Sequence, residues 1–368
     1  MTGKIYSYSN LWRVVSMYPK VAIIILNWNG WKDTIECLES VYQINYPNYE
    51  VIVVDNNSTD DSIQRIKDYV GRNIEVNSKF VKYNPNNKPI HILEYTKEES
   101  EKQIKVSLEK YFSKLPPYRK LRLIINDKNY GFAEGNNIGI RYAMKVLQPD
   151  YILLLNNDTV VEKNFLMELI KVAESDPKIG IVGPKMYYYD CPNVFWGAGG
   201  KVNLYLEHWQ RGTNELDKGQ FEKIEDVDFI AGAGMLVKRE VFERVGLIPT
   251  EYFLGWEDID FCMTAKIYGF RVVYVPRAVI WHKVSASYKR GKLNYKQVVW
   301  GIRNRIIFRY ELLSYSRFLI YLLIFTFVLS PVYFIFYTGY YRDPKRFKSY
   351  LEGFFEGLLM LRGIKRRI

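Results

Sequence analysis

Four apolar runs, each closed by polar residues, constrain this chain more than any other feature of its sequence. They read VAIIIL (21–26), EVIVVD (50–55), RLIIN (122–126) and YILLLNND (151–158). Runs of β-branched residues and leucine of this length are typical of strands that are buried on both faces, as in a parallel sheet. Helical patterns lie between them, for example from Asp33 to Val41. The alternation predicts an α/β domain with a mostly parallel sheet.

Polar residues close two of these strands where a ligand would reach them. Asp55 ends the second strand, and the cluster Asn156-Asn157-Asp158 ends the fourth. Ligands of open α/β sheets bind beyond the carboxyl ends of the strands. We therefore expect the two acidic strand ends to converge on one crevice.

The rest of the body departs from this regular alternation. Residues 71–120 are irregular and contain a charged helical pattern and a Pro-Pro pair, which indicates an elaboration of the core. Beyond residue 180, shorter strands and turns predict a mixed second half on the same sheet. We expect one domain over residues 21–310, preceded by an extension at residues 1–20.

Neither the first residues nor the cysteines indicate export. Residues 1–20 contain no continuous apolar core of about 7–15 residues and no small-residue cleavage site, so we expect no signal peptide. Cys37, Cys191 and Cys262 are odd in number and widely spaced, a pattern that does not favour a disulfide framework or a cysteine zinc site. We expect the main body to face the reducing cytosol.

The net charge of +12 is confined to one part of the chain. Residues 1–288 contain as many acidic as basic residues, whereas residues 289–368 contain 16 Lys and Arg against 4 Asp and Glu. This excess flanks the most apolar stretch of the sequence. The combination favours anionic lipid as a partner and argues against nucleic acid.

That apolar stretch is long enough to meet a membrane. Residues 318–341 carry no charge over 24 positions, about 36 Å of helix at roughly 1.5 Å per residue, against a hydrocarbon core of about 30 Å. Basic residues flank both ends, so the positive-inside bias selects no orientation. A straight span, a hairpin bent at Pro331 in the cytosolic leaflet and a buried helical hairpin all remain open. We expect residues 311–368 to form a membrane-associated helical region at the cytoplasmic face of the cell membrane, with 345–368 along its surface.

The acidic residues and one histidine indicate a particular chemistry. Asp158 ends a strand, the pair Glu257-Asp258 opens a helix near Asp260, and His282 lies on a strand-like run. One Asp and one His with open positions suit a divalent cation that also holds diphosphate oxygens and stabilises a leaving diphosphate. A separate carboxylate can then act as the general base on an attacking hydroxyl.

Six motifs, in order along residues 20–310, carry a resemblance to a known family. They are IIILNWNG (23–30), VIVVDNNSTDDS (51–62), NYGFAEGNNIGI (129–140), YILLLNNDTVV (151–161), AGAGMLVKREVFERVG (231–246) and GWEDIDFCMTAKIYGFRVVYVPRAVIWH (255–282). The chain resembles a family 2 glycosyltransferase of the rhamnosyltransferase-like branch. The resemblance implies a GT-A fold, a Rossmann-like mixed sheet flanked by helices, and sugar transfer from a nucleotide diphosphate donor. In this chain the family's acidic metal motif reads Asn-Asn-Asp.

The resemblance also implies roles for individual residues on the donor side. Asp55 would accept a hydrogen bond from the base of a UDP- or dTDP-sugar. The other implied donor-binding residues are Asn27, Asn29, Gly131, Asn136, Asn137, Asn156 and Asn157. The plainer alternative for Asp55 is a cap of the following turn, and for Gly131, Asn136 and Asn137 it is an ordinary strand-to-helix turn.

On the catalytic side, the resemblance implies that Asp158 and His282 bind a divalent metal, and the nitrogen donor favours Mn over Mg. Asp258 would be the general base and Glu257 would orient the acceptor, so that direct attack inverts the anomeric configuration. Trp256, Arg303 and Arg305 would contact the acceptor or a diphosphate. The membrane-facing segment implies a lipid-linked saccharide as acceptor.

Two other functions stay open at this stage. A sugar-phosphate nucleotidyltransferase also uses an α/β sheet and a metal, but the turn NWNGWKDT after the first strand has one glycine where a glycine-rich phosphate loop is expected. A non-catalytic, membrane-bound sugar-nucleotide binder would have no need of Asp158, Asp258 and His282 together. The sugar and the acceptor themselves cannot be deduced from these motifs.

Overall fold

The computed structural model describes residues 17–102, 105–203, 205–284 and 295–367. The chain forms two compact units, each built from two stretches of sequence. The first comprises residues up to Ile248 together with the segment that begins at Phe261. The second comprises Pro249–Asp260 together with the helices from residue 295 onward. The predicted domain boundary at residue 310 falls inside one helix of the second unit.

The first unit is built on one large mixed sheet. Its strand order is β11-β13-β7-β12-β5-β1-β2-β4-β3, with β6 paired to β13 and β8 to β7, while β9 and β10 form a separate ribbon. The strands are β1 (Val21–Asn27), β2 (Tyr49–Asp55), β3 (His91–Thr96), β4 (Lys120–Ile125), β5 (Tyr151–Asn156), β6 (Thr159–Val161), β7 (Ile179–Tyr188), β8 (Phe195–Gly197), β9 (Gly200–Val202), β10 (His208–Gln210), β11 (Glu225–Asp226), β12 (Gly234–Lys238) and β13 (Arg271–His282).

The parallel part of the sheet consists of the apolar runs that the sequence marks. β1 pairs in parallel with β2 and β5, and β4 pairs in parallel with β2 and β3. The side chains of β1 and β2 are almost entirely buried, which explains why most of their residues are apolar. Glu50 is the one charged residue of β2 before Asp55, and it is paired with basic residues of β4. β12 is antiparallel to both β5 and β7, so the sheet is mixed, as predicted.

One strand differs from its prediction. RVVYV and AVIWH read as two separate strand-like runs, whereas β13 is a single strand that pairs with β7 along both. The register shifts between Val275 and Val279, where Pro276 interrupts the pattern. Proline is confined to edges and irregularities in sheets because it has no N–H to donate.

Helices of the first unit pack on this sheet. They are α1 (Trp31–Val41), α2 (Ser62–Val70), α3 (Lys97–Lys102), α4 (Val106–Phe112), α5 (Gly131–Tyr142), α6 (Phe165–Ala173) and α7 (Arg239–Val245). The next helix, α8 (Glu257–Ile267), begins in the second unit and ends in the first.

The elaboration at residues 71–120 is tied to the sheet by buried charges. Arg122 on β4 donates to Glu50 Oε2 at 2.7 Å and to both carboxylate oxygens of Glu109 on α4, at 2.6–3.1 Å. Lys120 donates to the other oxygen of Glu50 at 2.8 Å. Because each of these buried ions has an opposite charge in contact, the elaboration can cover the sheet edge without leaving a charge uncompensated.

The second unit is helical. Its helices are α9 (Tyr295–Leu312), α10 (Tyr315–Ile324), α11 (Ser330–Ile335) and α12 (Pro344–Met360). A helical turn at Phe325–Leu329 joins α10 to α11, and a second turn at Phe336–Tyr340 extends α11, so that the whole forms one continuous stretch. That stretch, Tyr315–Tyr340, has 26 residues and a mean hydropathy of 2.4, and its apolar window is only 11% buried, so it is long and apolar enough to cross a membrane.

Of the alternatives left open for the apolar segment, a hairpin bent at Pro331 does not match the structure. Pro331 lies in the first turn of α11, where its missing N–H and fixed φ are tolerated, and the helix continues through it. The chain reverses later, around Arg342, and α12 then packs back along the apolar stretch. The rings of Phe325 and Tyr350 stack with their centroids 5.6 Å apart, and the ring centroids of Phe334 and Phe347 are 5.0 Å apart.

Two glycines allow α12 to lie against α9. A Cβ at Gly353 would come within 2.4 Å of the carbonyl oxygen of Val299. A Cβ at Gly357 would lie 3.3 Å from the Cα of Arg303. The two backbones therefore touch at a separation that a larger side chain would prevent.

Candidate functional site

The carboxylate of Asp55 is fixed at the end of β2. Asn27, its register partner at the end of β1, donates to Asp55 Oδ1 at 2.6 Å. Ser58 donates its backbone N–H and its hydroxyl to the two carboxylate oxygens, at 2.9 and 2.7 Å. The side chain is fully buried, so its orientation is set by these three donors.

Asn157 joins the same cluster from the end of β5. Its amide donates to Thr34 Oγ1 at 3.0 Å and to Asn27 Oδ1 at 3.3 Å. Asn27 thus contacts both Asp55 and Asn157, so the two predicted strand ends meet at one edge of the sheet. Asn156 lies at the last position of β5 and donates its backbone N–H to Ala233.

Asn29 shapes the loop above this cluster. Its φ of 51° is left-handed, a conformation that asparagine adopts more readily than most residues. Its side-chain oxygen accepts from the N–H of Thr59 at 2.7 Å, and its own N–H donates to Ser58 Oγ at 2.9 Å. Asn29 therefore holds the loops after β1 and β2 together.

The asparagines of α5 are engaged within the protein. Gly131 opens the helix with φ of 76°. The amide of Asn136 donates to Phe132 O at 2.9 Å, and Asn137 exchanges two hydrogen bonds with the backbone of Ile248, at 2.8 and 3.1 Å. These contacts indicate a structural role for Asn137 in particular, since it clamps the last residues of the first unit's main segment.

Asp158 and His282 are adjacent and buried. Their side chains meet at 3.0 Å between Asp158 Oδ1 and His282 Nε2, because β6 pairs with β13 with Thr159 opposite His282. The N–H of Lys283 donates to the carbonyl of Asp158 at 2.9 Å. Within the described residues, Nδ1 of His282 has no hydrogen-bond partner.

Next to this pair lies a half-buried lysine. Lys283 Nζ is 2.5 Å from a carboxylate oxygen of both Asp33 and Glu36 on α1, and Tyr189 donates to the other oxygen of Glu36 at 2.7 Å. Burial alone would lower the pKa of Lys283, but the two carboxylates raise it. Lys283 thus stays charged and links the strand of His282 to α1.

In the second unit, Glu257 and Asp258 open α8 after an unusual loop. Phe253, Gly255 and Trp256 all have left-handed φ values, of 47°, 80° and 82°. Asn304 on α9 is fully buried, and its amide donates to three carbonyls of this loop, those of Tyr252, Leu254 and Gly255, at 3.1, 3.2 and 2.8 Å. One asparagine therefore holds the strained loop in place.

The two carboxyl groups differ in environment. Glu257 is 4% exposed, and burial, followed by the neighbouring charge of Asp258, raises the pKa of Glu257 well above its usual range. A carboxyl group that keeps its proton can donate a hydrogen bond but cannot take up a proton. Asp258 Oδ1 accepts from the N–H of Ile259 at 2.8 Å.

The remaining predicted residues are Trp256, in the loop before α8, and Arg303 and Arg305, on α9. Trp256 contacts the ring of Phe308 at 5.3 Å. Arg303 donates to Asn304 Oδ1 at 3.0 Å, and Arg305 donates to the hydroxyl of Tyr333 at 3.4 Å. Burial lowers the pKa of Arg303, while the charge of Glu356 opposes that change.

The sequence of the chain was compared with protein families and with known proteins. Residues 85–297 match the model of the glycosyltransferase-like family 2, and residues 22–89 match that of glycosyl transferase family 2. The chain belongs to the family 2 glycosyltransferases. Its relatives place it in the rhamnosyltransferase-like branch, as the motifs indicate.

Two known proteins show how similar in sequence the chain is to its relatives. The low-salt glycan biosynthesis hexosyltransferase Agl10 of Haloferax volcanii is 26% identical over 188 residues, 51% of this chain and 60% of that protein. The rhamnosyltransferase WbbL of Escherichia coli K12 is 30% identical over 163 residues, 40% of this chain and 58% of that protein. The chain thus spans about 60% of the length of these relatives.

Solved structures confirm the predicted fold. GalNAc-T7, determined with UDP, GalNAc and Mn²⁺, superposes with a TM-score of 0.52 at 15% identity, over 79% of this chain and 48% of that one. The predicted GT-A type fold, a mixed sheet flanked by helices, is confirmed by this likeness and by the sheet topology.

Three residues of the site are not predicted by the sequence. Lys283 follows His282 directly, and Asn304 lies between Arg303 and Arg305, yet neither belongs to a spaced motif. Ser58 lies in a polar turn among several other residues that can form hydrogen bonds, so the sequence does not single it out. Lys283 and Asn304 act through partners distant in sequence, so no local pattern marks them, whereas Ser58 binds Asp55 only three residues away.

Proposed function

We propose that this chain transfers a sugar from a UDP- or dTDP-sugar to a hydroxyl group of a lipid-linked saccharide, with inversion of the anomeric configuration. The observation that carries this proposal is the 3.0 Å contact between Asp158 and His282 in the unit that also holds the Asp55 cluster. The pair of Asp158 and His282 would hold the diphosphate of a nucleotide sugar through a metal ion, and the Asp55 cluster would hold its base. The names of the relatives support sugar transfer in glycan biosynthesis.

On the donor side, the Asp55 carboxylate is the acceptor for an N–H of the pyrimidine base. Its three protein donors hold it rigidly and leave lone pairs for a ligand, because a carboxylate offers about four acceptor positions. Asn27, Asn29 and Asn157 shape the surrounding loops. Gly131, Asn136 and Asn156 complete the proposed donor surface.

Asp158 and His282 fit a divalent ion. A carboxylate oxygen and an imidazole nitrogen, both of which Mn²⁺ accepts as ligands, lie 3.0 Å apart here and would hold the ion. Among the described residues no third carboxylate, cysteine or histidine joins them, so the donor diphosphate and water would complete the shell. When bound, a Mn²⁺ or Mg²⁺ ion would neutralise the leaving diphosphate. Mn²⁺ in the structure of GalNAc-T7 supports this assignment.

Asp258 is the proposed base. It takes the proton of the acceptor hydroxyl as that oxygen bonds to the anomeric carbon and the bond to the nucleoside diphosphate breaks. Direct displacement without an enzyme nucleophile inverts the configuration. Glu257, held neutral by its burial, is suited to donate a hydrogen bond to the acceptor and not to remove its proton.

The acceptor side of the proposal rests on the second unit. The exposed apolar residues of Tyr315–Tyr340 and the surrounding arginines suit attachment to the cytoplasmic face of the membrane, where a lipid-linked saccharide would be met. Arg303 and Arg305 are the proposed contacts to its phosphate groups, with Trp256 against a sugar face.

The test is turnover of a panel of UDP-, dTDP- and GDP-sugars by the detergent-purified full chain, with Mn²⁺, Mg²⁺ or a chelator. Asp258→Asn should lower kcat by at least about 100-fold, as expected for loss of a general base, and leave donor affinity unchanged. Asp190→Asn, at an exposed aspartate, is the matched control. If no donor binds or turns over with lipid-phosphate acceptors present, the assignment fails.

A further inference from the structure

A buried acidic cluster in the second unit has no part in the mechanism above. Asp260 lies two residues after Asp258 in the first turn of α8 and is fully buried. Glu311, near the end of α9, is 3% exposed. Tyr252, in the loop before α8, donates to Glu311 Oε2 at 2.9 Å. Two carboxyl groups are thus brought together beneath the turn that carries the proposed base.

The cation that compensates this cluster comes from the far end of the sequence. Arg367 contacts both oxygens of Asp260, through Nη1 to Oδ1 and through Nη2 to Oδ2 at 3.0 Å. Its Nη2 also lies 3.1 Å from Glu311 Oε1, and its backbone N–H donates to the carbonyl of Glu311 at 3.1 Å. The guanidinium therefore bridges α8 and α9 with a paired contact to Asp260, the geometry for which arginine is suited.

The preceding residue makes contacts of a different kind. Arg366 donates to the carbonyls of Tyr310 and Leu313, at the end of α9, and reaches no carboxylate of the cluster. Arg366 thus attaches the segment to the end of α9 and to the start of α10. Arg367 is the residue that connects it to the turn of Asp258.

We propose that Arg367 is a positioning residue for the transfer reaction, which holds the first turn of α8 and with it the carboxylate of Asp258 by pairing with Asp260. This inference rests on the proposed function of Asp258. A buried Asp260 without its partner is costly, so the turn must shift toward water or take up a proton when the arginine is removed. The loop before it stores backbone strain, because three of its residues have left-handed φ values, so it can relax once the turn is released.

The experiment compares Arg367→Ala, Arg367→Lys and Arg366→Ala in the detergent-purified full chain. We measure kcat, donor KM, donor dissociation constant and thermal stability for each, and hydrogen–deuterium exchange of the peptide around residues 252–262. Arg367→Ala should lower kcat by roughly 10- to 100-fold, with an unchanged donor dissociation constant and faster exchange of that peptide. Arg367→Lys should recover part of kcat, and Arg366→Ala should leave both the exchange and kcat near wild type.

Two further experiments distinguish positioning of the turn by Arg367 from mere attachment of the segment that carries it. Millimolar guanidinium should restore part of the turnover of Arg367→Ala, whereas an equal concentration of NaCl should not. Adding Asp260→Asn to Arg367→Ala should recover activity, because it removes the unpaired charge. Exchange and kcat that do not differ between Arg366→Ala and Arg367→Ala, or no rescue in either arm, would overturn the inference.

The two proposals fail in different ways. If Asp258→Asn is inactive while Arg367→Ala has full kcat and normal exchange, the positioning role is wrong and the function stands. If the wild type transfers no sugar, the proposed function fails, and the positioning role fails with it even if exchange around residues 252–262 changes.

Discussion

Replacing Asn304 by alanine removes a side chain that holds the loop before α8. Its amide group makes three contacts with loop carbonyls but has two hydrogens, so we count two full hydrogen bonds. At about 0.5–1.5 kcal/mol each, their loss costs about 1–3 kcal/mol. Because the loop leads directly to Glu257 and Asp258, we expect this free-energy cost to appear as a higher barrier for the transfer step.

At about 1.4 kcal/mol for each tenfold change in rate, Asn304→Ala should lower kcat by roughly 5- to 150-fold. The donor residues lie in the other unit, so the donor dissociation constant should stay within about twofold of wild type. Asn304→Asp should be at least as damaging, because a carboxylate would face three carbonyl oxygens.

The assay is steady-state sugar transfer together with donor titration and thermal unfolding. Asn45→Ala is the control, since the amide of Asn45 makes one exposed hydrogen bond, to Asn164 at 2.8 Å. A folded Asn304→Ala protein with kcat within twofold of wild type would refute the reasoning. So would a parallel loss of donor affinity, which would show that the loop acts elsewhere.

Three other changes have defined outcomes. Burial, followed by the charge of a second carboxylate, raises the pKa of Glu311 to about 8, so the folded protein keeps a proton that the unfolded chain loses near pH 4.5. Stability should therefore fall as pH rises from about 5 to 8, and Glu311→Gln should flatten that dependence in thermal unfolding. Gly353→Leu places a side chain against the backbone of Val299 and should lower the unfolding midpoint by several degrees, whereas Gly363→Ala, in open space, should not. Asp55→Asn should raise the donor dissociation constant by roughly 10-fold with a smaller effect on kcat, measured by donor titration.

The parallel core could be predicted because its signal is local. The strands at 21–26, 50–55 and 151–156 are apolar on both faces, so each run identifies itself without knowledge of its neighbours. Their polar last residues then mark the ligand edge. Pro331 could not be decided in this way, because proline is tolerated in the first turn of a helix but disfavoured inside one, and the sequence does not mark where α11 begins.

The supports of the proposed catalytic turn could not be predicted in this way. Asn304 and Arg367 lie 46 and 109 residues after Asp258 in the sequence, and both are ordinary residues of polar or basic segments. Their importance comes from hydrogen bonds and charges that only the folded chain brings together. Asn137 shows the reverse case, since it lies in a family motif and yet its amide is engaged by the backbone of Ile248.

The discontinuous second unit also has a consequence for synthesis on the ribosome. Asp260 is translated 107 residues before Arg367, and at about 5–20 residues per second this interval lasts roughly 5–20 s. During that time the strands of the first unit are already available for pairing, whereas the segment Pro249–Asp260 lacks the helices against which it folds. The nascent chain can therefore assemble its proposed nucleotide-binding half first and complete its catalytic turn last.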